Sequence, residues 1–175
     1  KYGLYLFLDG ARLGYGLAAP DNDLTLPEIA ALCDVFYIGG TKVGALFGEA
    51  VVIKNPELAQ DFRYLIKQNG GMLAKGRLLG LQFDALFTDG LYQEISAHAI
   101  AMAEKLREAF TAKGYNYLAP NRTNQIFVIV PDAHLAKISE QFEYSYDQRI
   151  DATHSCVRFC TSCLLYTSDA ADDRI

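Results

Sequence analysis

Apolar positions along the chain change their spacing several times, and each change marks an element. Leu4, Tyr5, Leu6, Phe7 and Leu8 form an unbroken apolar run of strand length that turns polar at Asp9. A second run, Val35, Phe36, Tyr37 and Ile38, is bounded by Asp34 and by the pair Gly39 and Gly40, and predicts a buried strand. Residues 49–53 form a third, β-branched run, ended by Asn55 and Pro56. Between the first two runs, Thr25 caps a short helix over 26–33, with Pro27 in its first turn and Glu28 near the positive end of its dipole. A helix is predicted over 56–67, broken by Asn69, Gly70 and Gly71. Leu73, Leu78, Leu79, Leu81, Phe83, Leu86 and Phe87 then predict a helix over 72–87, opened by Gly70 and Gly71, with Lys75 and Arg77 at its start. Leu91, Ile95, Ala99, Met102, Leu106 and Phe110 make 89–113 one long amphipathic helix, stopped by Lys113 and Gly114. Strands at 125–130, 142–147 and 156–160, with a helix near 132–141, complete the pattern.

Alternation of strands and helices in the first part, and a strand-rich second part, predict an α/β chain. Its 175 residues suffice for a sizeable core. No apolar run reaches membrane-spanning length, and a net charge of −5 offers no basic patch for nucleic acid. Cys33, Cys156 and Cys160 have no paired spacing, which argues against a disulfide framework and against a metal site. Reduced thiols and a cytoplasmic protein are therefore expected. Residues 13–19 match a G-x-G-x-x-A pattern, but Pro20 follows at once and no long helix opens there, so the match is discounted. The sequon at Asn121 is read as a loop, and His98, His134 and His154 as structural or exposed.

Two positions carry chemistry. The first strand run delivers a carboxylate, Asp9, with Arg12 three residues on. The second leads through Gly39, Gly40 and Thr41 to Lys42, and a further glycine at 44 leaves room for a close approach to the backbone. Ligands of open α/β sheets bind beyond the carboxyl ends of the strands, so both groups would face one crevice. A lysine amine and a carboxylate there are what pyridoxal phosphate needs: the amine holds the aldehyde as a Schiff base, and the acid keeps the pyridine nitrogen protonated. The plainer alternative is a surface lysine in a glycine-rich turn and a turn aspartate.

The motif Asp9, Gly10, Ala11, Arg12, followed by Gly39, Gly40, Thr41, Lys42, Val43, Gly44, Ala45, resembles the aromatic amino acid β-eliminating lyase/threonine aldolase family. Residues 30–34 and 47–52 resemble it too, and the similarity extends from about residue 4 to Ser162. The resemblance implies an aspartate aminotransferase-like fold (pyridoxal-phosphate fold type I): the C-terminal half of the large domain over 1–115 and the start of an α+β small domain over 116–162. It implies Lys42 as the Schiff-base lysine, and Asp9, Thr41, Gly70 and Gly71 as further cofactor-binding residues. Arg12 and Arg158 would bind the substrate carboxylate. For Arg158 the alternative is a solvent-facing arginine, and for Gly70 and Gly71 a plain helix turn.

The implied reaction cleaves threonine or allo-threonine to glycine and acetaldehyde. The rival is β-elimination by α-proton removal, with Lys42 as base. A homodimer or homotetramer is expected, with no metal, nucleic acid or membrane partner. The chain itself is expected to be an inactive fragment, its phosphate-binding and ring-stacking residues lying upstream of Lys1. Residues 163–175 read as an adapter-derived scar; without their three aspartates and one arginine the formal charge is −3.

Overall fold

The computed structural model of the chain describes residues 2–164. Lys1 and residues 165–175, which hold most of the segment read as a scar, lie outside the described residues. The chain forms two compact units: residues up to Leu17 with Asp23–Gln93, and Ala18–Asn22 with the residues from Glu94 onward.

The first unit is built on a three-stranded mixed sheet of β1 (Phe7–Leu8), β2 (Val35–Gly39) and β3 (Glu49–Ile53). β2 is central, parallel to β1 and antiparallel to β3. β1 is shorter than the apolar run 4–8 predicts. The Leu6 N–H donates to the Asp34 carboxylate at 2.7 Å instead of to a neighbouring strand, which leaves Phe7 and Leu8 as the paired residues. Two helices lie between β1 and β2 in the chain, α1 (Leu13–Leu17) and α2 (Leu26–Leu32). α2 starts as predicted: Glu28 Oε2 accepts from the Thr25 N–H at 2.7 Å and from its hydroxyl at 2.6 Å.

The single helix predicted over 56–67 is two pieces. Pro56–Ala59 forms a 3₁₀ turn capped by the Asn55 side chain, and α3 spans Phe62–Gln68. Asp61 separates them in a left-handed conformation (φ +57°), which no helix passes through. Gly70 (φ +77°) donates to the Lys67 carbonyl and Gly71 to that of Ile66, so the pair closes α3. It does not open the next helix, as the sequence led us to expect; α4 begins only at Arg77 and ends at Phe87. A long helix, α5, runs Leu91–Ala112, and Gly114 (φ +78°) ends it.

The second unit holds an antiparallel sheet in the order β4-β5-β7-β6: β4 (Asn116–Tyr117), β5 (Gln125–Pro131), β6 (Ser145–Arg149) and β7 (His154–Cys160), with α6 at Asp132–Ser139. Strict alternation along β5 buries Ile126, Val128 and Val130. Register sets them against Phe159, Val157 and Ser155 of β7. Ala103, Leu106 and Phe110 of α5 and Leu135 and Ile138 of α6 cover this face. Each fully buried aliphatic side chain here contributes roughly 1.5–3 kcal/mol. The strand predicted at 142–147 lies at 145–149, on the sheet edge and wholly exposed. No helix of the described residues is long and apolar enough to cross a membrane.

Candidate active site

The parallel register of β1 on β2 pairs Leu8 with Phe36, so the next residues stand side by side: Asp9, just past the carboxyl end of β1, and Tyr37, in the middle of β2. The Tyr37 hydroxyl donates to Asp9 Oδ1, and the Ala11 N–H donates to the same oxygen at 3.1 Å. The hydrogen bond from Tyr37 is the main force holding the Asp9 carboxyl below its ordinary pKa; the charge of Lys42 adds a smaller pull. The same bond, from the other side, pushes the Tyr37 phenol up to about 12.

Glycines let the two strand ends touch backbone to backbone. A Cβ on Gly10 would overlap the Tyr37 carbonyl, and one on Gly39 would overlap the carbonyls of Gly10 and Ala11. In place of those side chains the Gly39 N–H donates to the Gly10 carbonyl at 2.9 Å. Tyr92, 1% exposed, bolts this junction: its hydroxyl accepts from the Gly14 N–H and donates to the Gly39 carbonyl, each at 3.0 Å.

The loop after β2 carries Lys42. The Gly40 carbonyl accepts from the N–H groups of Val43 and Ala45, both at 2.9 Å. Glu49, first residue of β3, accepts from the Gly40 N–H at 2.5 Å and from the Thr41 hydroxyl at 3.1 Å. Buried Tyr15 donates its hydroxyl to the Lys42 carbonyl, and Val43 is wholly buried. The Lys42 side chain itself is half-buried. From α4, Gln82 clips the loop by accepting from the Leu46 N–H at 2.7 Å and donating to the Phe47 carbonyl at 3.0 Å.

Of the residues singled out by sequence, Asp9, Arg12, Thr41 and Lys42 therefore lie at the two adjoining strand ends, with Arg12 half-buried just before α1. Gly70 and Gly71 lie in a stretch, 67–78, that is exposed throughout. Arg158 belongs to the other unit. It is half-buried on β7, where Nη1 donates to Gln125 Oε1 at 3.1 Å and Nη2 reaches Ser145 Oγ at 3.4 Å. His134 pairs with the Tyr115 hydroxyl and His154 with Asp151.

Sequence reading missed Tyr15, Tyr37, Tyr92, Glu49 and Gln82. Tyr37 lies in the middle of β2, and it is the register of β1 on β2 that sets it beside Asp9. Tyr92 and Gln82 act across large separations and leave no local pattern.

No protein-family model matches the chain. It is similar to the low specificity L-threonine aldolase of a Pseudomonas species (strain NCIMB 10558), 35% identical over 132 residues. It is similar also to that of Pseudomonas aeruginosa, 32% identical over 129 residues. Each match takes in 73% of this chain and 37% of the relative, so the chain spans well under half the length of these curated relatives. Its fold superposes on a solved threonine aldolase of Leishmania major with a TM-score of 0.90 and 44% identity, over 94% of this chain and 48% of that one.

Proposed function

Because the chain is related to the threonine aldolases over the stretch it shares with them, we propose that it forms the lysine- and aspartate-bearing part of a pyridoxal-phosphate site in a carbon–carbon lyase. The fold would be fold type I, with the large domain over 1–115 and the small domain over 116–162. The observation that carries this reading is Asp9 beside the loop of Lys42, at the carboxyl ends of adjoining parallel strands. The donor set fits the cofactor. The Tyr37 hydroxyl and the Ala11 N–H both converge on Asp9 Oδ1, which leaves Oδ2 to a ring N–H. Glycines at 10 and 39 let the two strand ends close on each other, which brings Asp9 and the loop of Lys42 together.

Pyridoxal phosphate, when bound, supplies an electron-poor ring that accepts the pair released as the substrate's Cα–Cβ bond breaks. The residues of this chain do the rest. Asp9 holds the proton on the ring nitrogen. Lys42 would anchor the cofactor aldehyde through its amine and, with the amine free, would move protons at Cα. Thr41, Gly70 and Gly71 bind the cofactor, while Arg12 and Arg158 take the substrate carboxylate in a planar fork. The substrate is a β-hydroxy amino acid, threonine or allo-threonine, and the products are glycine and acetaldehyde. A cytoplasmic homodimer or homotetramer completes the reading.

The test is an absorbance spectrum of the protein at its natural full length, with and without Lys42→Ala. A visible band from lysine-bound cofactor, bleached by borohydride and absent from the variant, is expected, with acetaldehyde released from threonine. Pyruvate and ammonia from a β-substituted amino acid, without acetaldehyde, would instead favour β-elimination. A protein that binds no pyridoxal phosphate would sink the reading.

A further inference from the structure

Asp9 is not a lone carboxylate at a strand end. Register brings Tyr37 beside it, on the same face of the sheet as Phe7, and the Phe7 ring leans on the Tyr37 ring at 6.1 Å between centroids. The phenol hydroxyl is thereby held against Oδ1, the oxygen that also takes the Ala11 N–H. With Oδ1 doubly engaged, Oδ2 is the acceptor left for a ligand. A hydrogen bond given to a carboxylate makes it a weaker base. A proton shared between a weaker carboxylate and a ring nitrogen lies further toward the nitrogen. Tyr37 keeps its own proton well above neutral pH, so it remains a donor throughout the working range.

We propose that Tyr37 is a positioning residue for the cofactor ring: acting through Asp9, it leaves Oδ2 to the ring nitrogen and keeps the shared proton on that nitrogen. The inference rests on the pyridoxal-phosphate reading above. It needs no contact between Tyr37 and substrate. It assigns an outer partner to the carboxylate that would meet the ring nitrogen, much as outer partners orient ligands in metal centres.

The experiment uses the protein at its natural full length and pyridoxal phosphate labelled with ¹⁵N in the ring. Wild type, Tyr37→Phe, Asp9→Asn and the double variant are compared by the ¹⁵N shift and by the cofactor Kd. Phenylalanine keeps the ring and its contact with Phe7, and removes only the hydroxyl. In Tyr37→Phe the ¹⁵N resonance is expected to move toward that of an unprotonated pyridine, and Kd to rise roughly tenfold, the scale of one charge-assisted hydrogen bond. On the Asp9→Asn background the same change should add nothing. An unchanged shift and Kd in Tyr37→Phe, beside a wild type that binds, overturns the inference alone. So does an equal loss in the Asp9→Asn background, which would make the tyrosine a general packing residue. A wild type that binds no cofactor removes the functional reading and this inference together.

Discussion

The hydroxyl of Tyr15 donates to the carbonyl oxygen of Lys42, so the lysine is held by its backbone from within the core while its side chain stays half-buried. Tyr15 is 2% exposed, and water is not at hand to replace that bond. Tyr15→Phe should therefore cost about 1–3 kcal/mol, the price of an orphaned buried carbonyl. The midpoint of urea unfolding measures it, and an unchanged midpoint would mean that the loop relaxes without help from this tyrosine.

Gly10 and Gly16 offer a contrast within one short segment. A Cβ at Gly10 would overlap the Tyr37 carbonyl, so Gly10→Ala must push β1 off β2 and is expected to cost about 3 kcal/mol or more. Gly16 sits in α1 with nothing within 4 Å of its would-be Cβ, and Gly16→Ala should be neutral or stabilising by about 0.5–1 kcal/mol. Thermal unfolding of the two variants should move in opposite directions or differ by that margin.

Asp151 shapes the turn from β6 to β7. Its carboxylate accepts from the Thr153 N–H at 2.7 Å and the His154 N–H at 2.8 Å. The Thr153 N–H foremost, then the His154 side chain, and less so the Thr153 hydroxyl and the His154 N–H, pull its pKa from 3.8 down to about 2. A depressed carboxyl contributes stability that is whole above 3.8 and is lost as pH falls through about 2. Asp151→Ala should thus unfold at a lower temperature than wild type at pH 6, and the gap should close between these two values. A gap that persists unchanged at pH 2 would show that charge has no part in it.

Much of the fold was legible because its strands obey short-range rules. β2, β3, β5 and β7 appear where β-branched or alternating runs are bounded by glycine, proline or charge. The Asp9–Lys42 neighbourhood followed from strand ends alone. The misreadings have physical causes too. Asp61 adopts a left-handed conformation that its letters do not announce, so one expected helix became a turn and a helix. Residues 72–76 have helical spacing, yet Gly70 and Gly71 serve α3, and the chain does not recover helical geometry until Arg77. The Tyr92 bridge from Gly14 to Gly39 could not be seen in advance, because nothing near Tyr92 in sequence distinguishes it from any other aromatic on a helix.

The turn at residues 40–45 has a kinetic consequence. Gly40 is fastened through both its N–H and its carbonyl, and Lys42 through its own carbonyl, so hydrogen bonds pin the backbone beneath the amine. What remains free is the four-carbon stem. In the Schiff-base role proposed above, the Lys42 amine, on letting go of a carbonyl compound, would swing on a short tether about a fixed post. Its effective molarity toward a carbonyl already held at the site would be set by those few torsions, and capture there would be a first-order event.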